Sequence, residues 1–411
     1  MSVDPIANLL GQGVGRSGVA QVLRTVRKHL RMDVAFVAHF RETDRVLEHV
    51  DSDGAAPIHE GQTIPLEDGY CLKIVRGELP ELIPDTSVVP AAMALPATLE
   101  IPIGAHLSVP IELSSGALYG TLCCFSRRPD LSLGERDLQL IRALGEVLAA
   151  RIEEEEEVER LKQRTAGEIH EAMAAGGPRI VYQPIYSLAS DAMVGAECLA
   201  RFDVEPLRAP DVWFDNAHRA GVGLELELRA IENALRTLDL LPAPLWLSVN
   251  CSPELILSSR LGPVLDDVDL ARVVLEITEH ATVTDYAAVS EALAPWRQRG
   301  ARLAIDDAGA GYASMRHILD LKADIIKLDI SLTRDIDADS NRRALAKGLI
   351  AFAREVGSGI TAEGVETKAE LATLRSVGVD KAQGFFLARP SSWEDFVARA
   401  APPPAAFSAI N

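Results

Sequence analysis

Glu197, Asn250, Glu276, Asp306, Asp307, Lys327, Glu363 and Gln383 are the residues of this sequence best fitted to chemistry, because each lies in or beside a short apolar run. A buried run gains nothing from a carboxylate, since an ionised group taken out of water costs free energy unless something pairs with it. Acids and amides, with no histidine or cysteine at the best-placed positions, make an oxygen-only donor set. Such a set suits hard cations, Mg²⁺ or Mn²⁺, over Zn²⁺. The neighbours Asp306 and Asp307 add a geometric hint. Side chains alternate along a strand, but where the chain turns at a strand end both can reach one place. A shared carboxylate plus its neighbour could hold two metals roughly 3.5–4 Å apart, the arrangement that serves in-line displacement at phosphorus. Lys327 then supplies charge for a developing oxyanion or orients the attacking water. Bare carboxylates repel an anionic substrate, and the same carboxylates carrying cations attract it. The residues alone imply a metal-dependent phosphoester hydrolase.

These side chains need a frame. They sit on eight apolar runs: IVYQPIYSL (180–188), MVGAECLARF (193–202), LWLSVNCSP (245–253), VVLEIT (273–278), RLAIDDAG (302–309), IIKLDI (325–330), GITAEGVE (359–366) and KAQGFFL (381–387). Between most of them lie stretches of helical spacing such as DYAAVSEALAPWRQRG and NRRALAKGLIAFAREVG. Strands alternating with helices predict parallel βα units. Eight such units predict a closed α/β barrel of the TIM type, with its chemistry at the C-terminal ends of the strands.

The motifs YQPI (182–185), AECLARF (196–202), LSVNCSP (247–253), LEITE (275–279), IDDAGAGYAS (305–314), DIIKLD (324–329), TAEGVET (361–367) and QGFFLARP (383–390) occur in family order and spacing. Residues 168–400 resemble the EAL domain family of cyclic di-GMP phosphodiesterases. The resemblance implies a (β/α)8 barrel that hydrolyses cyclic di-GMP to linear 5′-pGpG with two divalent cations, Mg²⁺ or Mn²⁺, and Ca²⁺ as an inhibitor. It implies that Glu197, Asn250, Glu276 and Asp306 ligate the first metal, and that Asp306 bridges to a second, which Asp307 also binds. Lys327 would position or deprotonate the attacking water, Glu363 would support the water shell, and Glu279 would hold the loop after the fifth strand. Gln183, Leu199, Arg201, Asp329 and Gln383 would contact substrate or order the site, Arg201 as a phosphate partner.

Three departures stand out. The signature triplet is Glu-Cys-Leu (197–199), where Cys198 reads as a packing swap. Ala308 and Ala310 stand where Phe and Thr are common, and Phe385 where Tyr is common. No expected metal ligand is missing, so the sequence reads as an active enzyme. The alternative is a catalytically weak or inactive cyclic di-GMP receptor that signals through protein partners, which the altered loop alone favours.

The chain has 411 residues, room for a second domain before the barrel. Residues 1–16 read as a tail, 17–150 as an α+β domain, 134–166 as a linking helix and 401–411 as a disordered tail. SGVAQVLRTVRKHLR predicts a helix, VAFVAHFRE, RVLEHVDSD, AHLSVPIEL and ALYGTLCCFS predict strands, and Ser132 with Glu135 reads as a capping box. This half resembles the GAF family through DVAFVAHF, DGYCLKIV and YGTLCCFS, which implies a sensor for an unknown small molecule or a chromophore. Leu138, Ile141, Leu144, Leu148, Ile152, Val158 and Leu161 recur at helical steps and read as a coiled-coil seam, hence a homodimer. The net charge of −19 disfavours a nucleic-acid polymer as partner. The five cysteines show no CxxC spacing and read as reduced, buried thiols of a cytoplasmic protein. No apolar run approaches the length of a membrane span, so no membrane association is expected.

Overall fold

Strand alternation builds the first half of the molecule. In the computed structural model, which describes residues 17–54, 58–278, 283–308 and 312–400, the N-terminal unit holds six strands. These are β1 (Val34–Phe40), β2 (Asp44–Ser52), β3 (Thr63–Pro65), β4 (Leu82–Ile83), β5 (Ala105–Glu112) and β6 (Leu118–Ser126). They pair antiparallel in the order β3-β2-β1-β6-β5-β4. The period of two gives the sheet two apolar faces. Ala35, Val37, Leu107, Leu122 and Cys124 pack with Val19, Leu23 and Val26 of the helix Ser17–His29 and with Ile141 and Leu148 of the helix Glu135–Ala174. Phe36, Cys123 and Phe125 pack on the other face with Tyr70, Cys71 and Ile74 of the helix Tyr70–Val75.

The helix Glu135–Ala174 corrects three expectations. Its 40 residues run past position 166. Ser132 does not act as part of a capping box: its Oγ donates to Asp130 Oδ1, and Asp137 accepts from the Gly134 N–H instead. The seam is mostly taken as well. Leu138, Ile141, Leu144, Leu148 and Ile152 are buried in the unit's own core, and only Val158 and Leu161 stand exposed. An amphipathic stripe states that a face is covered, not what covers it.

The second half closes into a barrel of eight strands. They are β7 (Arg179–Ser187), β8 (Met193–Arg201), β9 (Trp246–Asn250), β10 (Val273–Ile277), β11 (Arg302–Ala308), β12 (Ile325–Leu328), β13 (Gly359–Ala362) and β14 (Lys381–Ala382). Each of the eight runs expected as strands contains one, the last only over Lys381–Ala382. One expectation changes: β7 is antiparallel to both β8 and β14, while the other neighbours are parallel. The segment between β7 and β8 is too short for the crossover a parallel pair needs, so the chain turns back directly.

Barrel side chains separate into layers. Leu247, Val249, Leu275, Ile277, Leu303 and Ile305 pack against the surrounding helices through residues such as Leu293, Ile350 and Leu374. Ile185, Trp246, Val274, Ala304 and Ile325 form a smaller cluster of their own. That cluster is an apolar floor. Ser248, Glu276, Asp306 and Lys327 each stand two residues further along the same strands and so project from the same face, one layer up. No helix among the described residues is long and apolar enough to cross a membrane.

Candidate active site

Lys327 occupies the centre of the polar layer. Its Nζ lies 2.7 Å from Glu363 Oε1, 2.9 Å from Glu276 Oε2, 3.1 Å from Asp306 Oδ1 and 3.5 Å from Glu197 Oε2. Gln383 Nε2 donates to Glu197 Oε2 at 2.5 Å and to Glu363 Oε1 at 2.8 Å. Six separate strands or strand ends therefore deliver one connected network. All but Glu363 of these residues are buried.

Buried charges of one sign hold protons. Burial, and then the neighbouring carboxylates Glu197 and Asp306, push Glu276 up to about 8 against the pull of Lys327. Glu363 is raised well above the carboxylate range, first by burial and, against Lys327, by Asp306 and Glu197. Burial works to strip the proton from Lys327, but Asp306, Glu197, Glu276 and Glu363 together hold it well above the ordinary lysine value. Four carboxylates and one ammonium leave an excess of negative charge that added cations relieve.

The donor geometry fits two of them. Oxygens of Glu197, Glu276 and Asp306 lie within 4.8 Å of one another, and so do oxygens of Asp306, Asp307 and Glu363. Asp306 belongs to both groups, as a bridging carboxylate must. A register shift on β11 explains how two adjacent aspartates share the site. Pairing with β12 slips between Ile305 and Ala308, and Asp307 takes the left-handed backbone at φ +54°. A bulge of this kind re-aims a side chain that regular alternation would turn away.

The other expected residues divide. Asn250 ends β9, in register with Glu276 and exposed at the mouth. Gln183 is buried opposite Glu197. Leu199 and Arg201 follow Glu197 on the same face of β8 and are partly buried; Arg201 donates to the Ala200 carbonyl. Asp329 is occupied as a helix cap, accepting from Ser331 N–H at 2.9 Å. Cys198 lies in the apolar core, as a packing residue should. Glu279 and Ala310 lie outside the described residues.

Sequence reasoning passed over three partners. Ser248 is fully buried and its hydroxyl donates to Glu276 Oε1. Thr361 is buried, in register with Lys327, with an Oγ1 that lacks a hydrogen-bond partner. Glu227 accepts from Ser252 Oγ at 2.7 Å and steadies the turn after Asn250. The signal for the first two was available: Ser248 and Thr361 precede Asn250 and Glu363 by two residues, the spacing of one strand face.

Comparison with known proteins follows this geometry. The EAL domain profile matches residues 166–390 and a GAF domain profile matches residues 19–153. Over 226 residues the chain is 30% identical to a cyclic di-GMP phosphodiesterase of Pseudomonas aeruginosa, covering 52% of this chain and 38% of that protein. A second protein of that organism, the cyclic di-GMP phosphodiesterase NbdA, is 30% identical over 235 residues, 54% of this chain and 30% of its own length. The chain thus spans less than two fifths of either relative. Among solved structures, a PaMucR phosphodiesterase in complex with c-di-GMP superposes with a TM-score of 0.51 at 26% identity, covering 57% of this chain and 99% of that one.

Proposed function

Because this chain belongs to the EAL domain family, we propose that it is a cyclic di-GMP phosphodiesterase, opening one phosphodiester to give linear 5′-pGpG. The observation that carries this reading is Asp306, shared between two carboxylate groups around a fully buried Lys327. Glu197, Asn250, Glu276 and Asp306 would hold one divalent cation, and Asp306 with Asp307 a second. Bound there, Mg²⁺ or Mn²⁺ supplies the positive charge that draws in the phosphodiester and offsets charge developing at phosphorus. Ca²⁺, with its longer and more numerous oxygen bonds, would occupy the donors without holding the same geometry.

The chain's own groups do the rest. Lys327 keeps its proton and donates to the attacking water or a developing oxyanion. Glu363, tied to Lys327 and Gln383, supports the water shell of the site. Gln383 ties Glu197 to Glu363 and fixes both. Arg201 contacts a substrate phosphate, and Gln183, Leu199 and Asp329 line its path. The N-terminal GAF domain would regulate this activity in response to its own small-molecule ligand, in a cytoplasmic homodimer. A pure receptor has no use for the second carboxylate group.

The test is chromatography of cyclic di-GMP incubated with the purified protein and Mg²⁺, Mn²⁺ or Ca²⁺. Conversion to pGpG with the first two, lost in Asp306→Asn, supports the reading. Tight binding of intact cyclic di-GMP under every condition supports the receptor instead.

A further inference from the structure

The N-terminal unit buries a second set of reactive groups, far in sequence from the barrel. Cys71, on the helix Tyr70–Val75, and Cys123, on β6, bring their Sγ atoms to 3.3 Å. Both belong to the apolar core around Phe36 and Phe125. Their sulfurs are in contact, about 1.3 Å beyond disulfide length.

The surroundings divide the pair into donor and acceptor. Burial keeps the proton on Cys123. Cys71 is acidified, first by the hydrogen bond from Cys123 and, against burial, by the charge of Arg45. Cys123 Sγ also lies 3.0 Å from Ser108 Oγ and 3.1 Å from Thr121 Oγ1. Arg45 is itself 4% exposed. Its Nη1 donates to the Pro65 and Leu66 carbonyls and its Nε has no hydrogen-bond partner. Among the described residues no carboxylate forms an ion pair with it. His106, stacked on Tyr70 at 4.2 Å, is kept neutral by burial and then by Arg45. Cys71 is therefore the more acidic thiol of the pair, and a thiol that keeps its proton stands beside it.

We propose that Cys71 and Cys123 are a peroxide-oxidised dithiol that closes to a disulfide within the N-terminal unit. The Cys71 thiolate attacks one peroxide oxygen. The O–O bond breaks, Cys71 becomes a sulfenic acid, and the other oxygen leaves and takes up a proton as water, or as an alcohol from an organic peroxide. Cys123 Sγ then bonds to Cys71 Sγ, and the sulfenic hydroxyl leaves with the Cys123 proton as water. Two thiols lose two electrons and two protons, and the peroxide gains them. Burial restricts entry to a small oxidant, hydrogen peroxide rather than a bulky disulfide. The new bond would tie the helix Tyr70–Val75 to β6, closing a loop between positions 52 residues apart.

Cys124 is the internal control. It follows Cys123 directly but packs on the opposite face of the sheet, and burial alone raises its thiol. Cys198 and Cys251 are also buried with raised thiols. The experiment treats the reduced full-length protein with a few equivalents of hydrogen peroxide, blocks free thiols and maps peptides without reduction. We expect one cross-linked pair joining positions 71 and 123, at least about tenfold more abundant than oxidation at any other cysteine, and reversed by dithiothreitol. Cys123→Ser should leave a sulfenic acid on Cys71 that dimedone traps. Free Cys71 and Cys123 at a peroxide level that oxidises Cys124, Cys198 or Cys251 would overturn the proposal. Mapping of the unsubstituted protein decides this even if the variant does not fold.

Discussion

Lys327 Nζ and Glu276 Oε2 meet at 2.9 Å, and each side chain is 2% exposed. Among the described residues, the ammonium is the one cation placed among the four carboxylates, and it ties the layer together from within. Removing either member leaves the rest of the layer unbalanced.

Lys327→Met should lower the rate of hydrolysis by about 10²–10⁴-fold and destabilise the metal-free protein by about 3–5 kcal/mol, since it strands buried carboxylates. Added Mn²⁺ should recover part of that loss. Initial rates and melting curves with and without Mn²⁺ read both effects, and a melting temperature that the substitution leaves alone would show that Lys327 is not the internal counter-charge.

Glu276 and Glu363 carry raised pKa values, so the folded, metal-free state binds more protons than the unfolded one from the ordinary carboxylate range up to about pH 8, the value for Glu276. Stability of the metal-free protein should therefore fall as pH rises through that window. Lys327 adds a loss of the same sign only at alkaline pH, as pH rises from the ordinary lysine value towards its raised pKa. Metal affinity should rise over the same window, because each cation displaces protons. Thermal melts from pH 5 to 8 check this: a metal-free curve that climbs with pH contradicts the assignment.

Ser248→Ala removes the donor that favours ionised Glu276. Glu276 should keep its proton to higher pH, and the acid limb of the pH–rate profile should shift upward, at a stability cost of about 1–3 kcal/mol for the unsatisfied carboxylate. A profile that only drops in height, with no displacement along pH, would make Ser248 a packing residue and nothing more.

Cys198→Ala restores the commoner Glu-Ala-Leu triplet. Cys198 packs in the apolar core, so hydrolysis should stay within about twofold and stability should drop by at most about 1–2 kcal/mol. Steady-state rates and urea melts suffice; a tenfold change in rate would give the thiol a role in the site.

The helix Glu135–Ala174 sets where the barrel can be cut. Ile169 and Ala172 are buried with Phe202, Trp213 and Leu226. A barrel beginning at Lys162 should fold, whereas one beginning at Gly176 should lose about 3–5 kcal/mol with the Ile169 contacts. Urea denaturation of the two fragments compares them, and equal midpoints would refute this packing argument. Comparing the rate of the longer fragment with that of the full chain also tests regulation by the N-terminal unit.

Much of this was legible in the sequence because strand ends advertise themselves. A Glu, Asp or Lys interrupting an apolar run is conspicuous, and Glu197, Glu276, Asp306, Lys327 and Glu363 all converge as expected. The spacing put Ser248 and Thr361 on the face of Asn250 and Glu363, but a hydroxyl in mid-strand reads the same whether it packs or bonds, so their role was not legible. The reversed direction of β7 was hidden because an apolar run carries no sign of strand direction. The helix stripe from Leu138 to Ile152 named a buried face correctly and its partner wrongly, since the covering surface was the unit's own sheet.

Asp307 demands two properties that few residues combine: tolerance of a left-handed backbone and a short carboxylate. Asn keeps the conformation without the charge, Gly keeps only the conformation, and Glu keeps the charge on a longer stem that suits the turn poorly. Loss of activity is thus one substitution away at a position where loss of the fold is not. Under the proposed function, a lineage drifting from Asp307 to Asn would keep its barrel, and a hydrolase would pass into a receptor by a single inherited change.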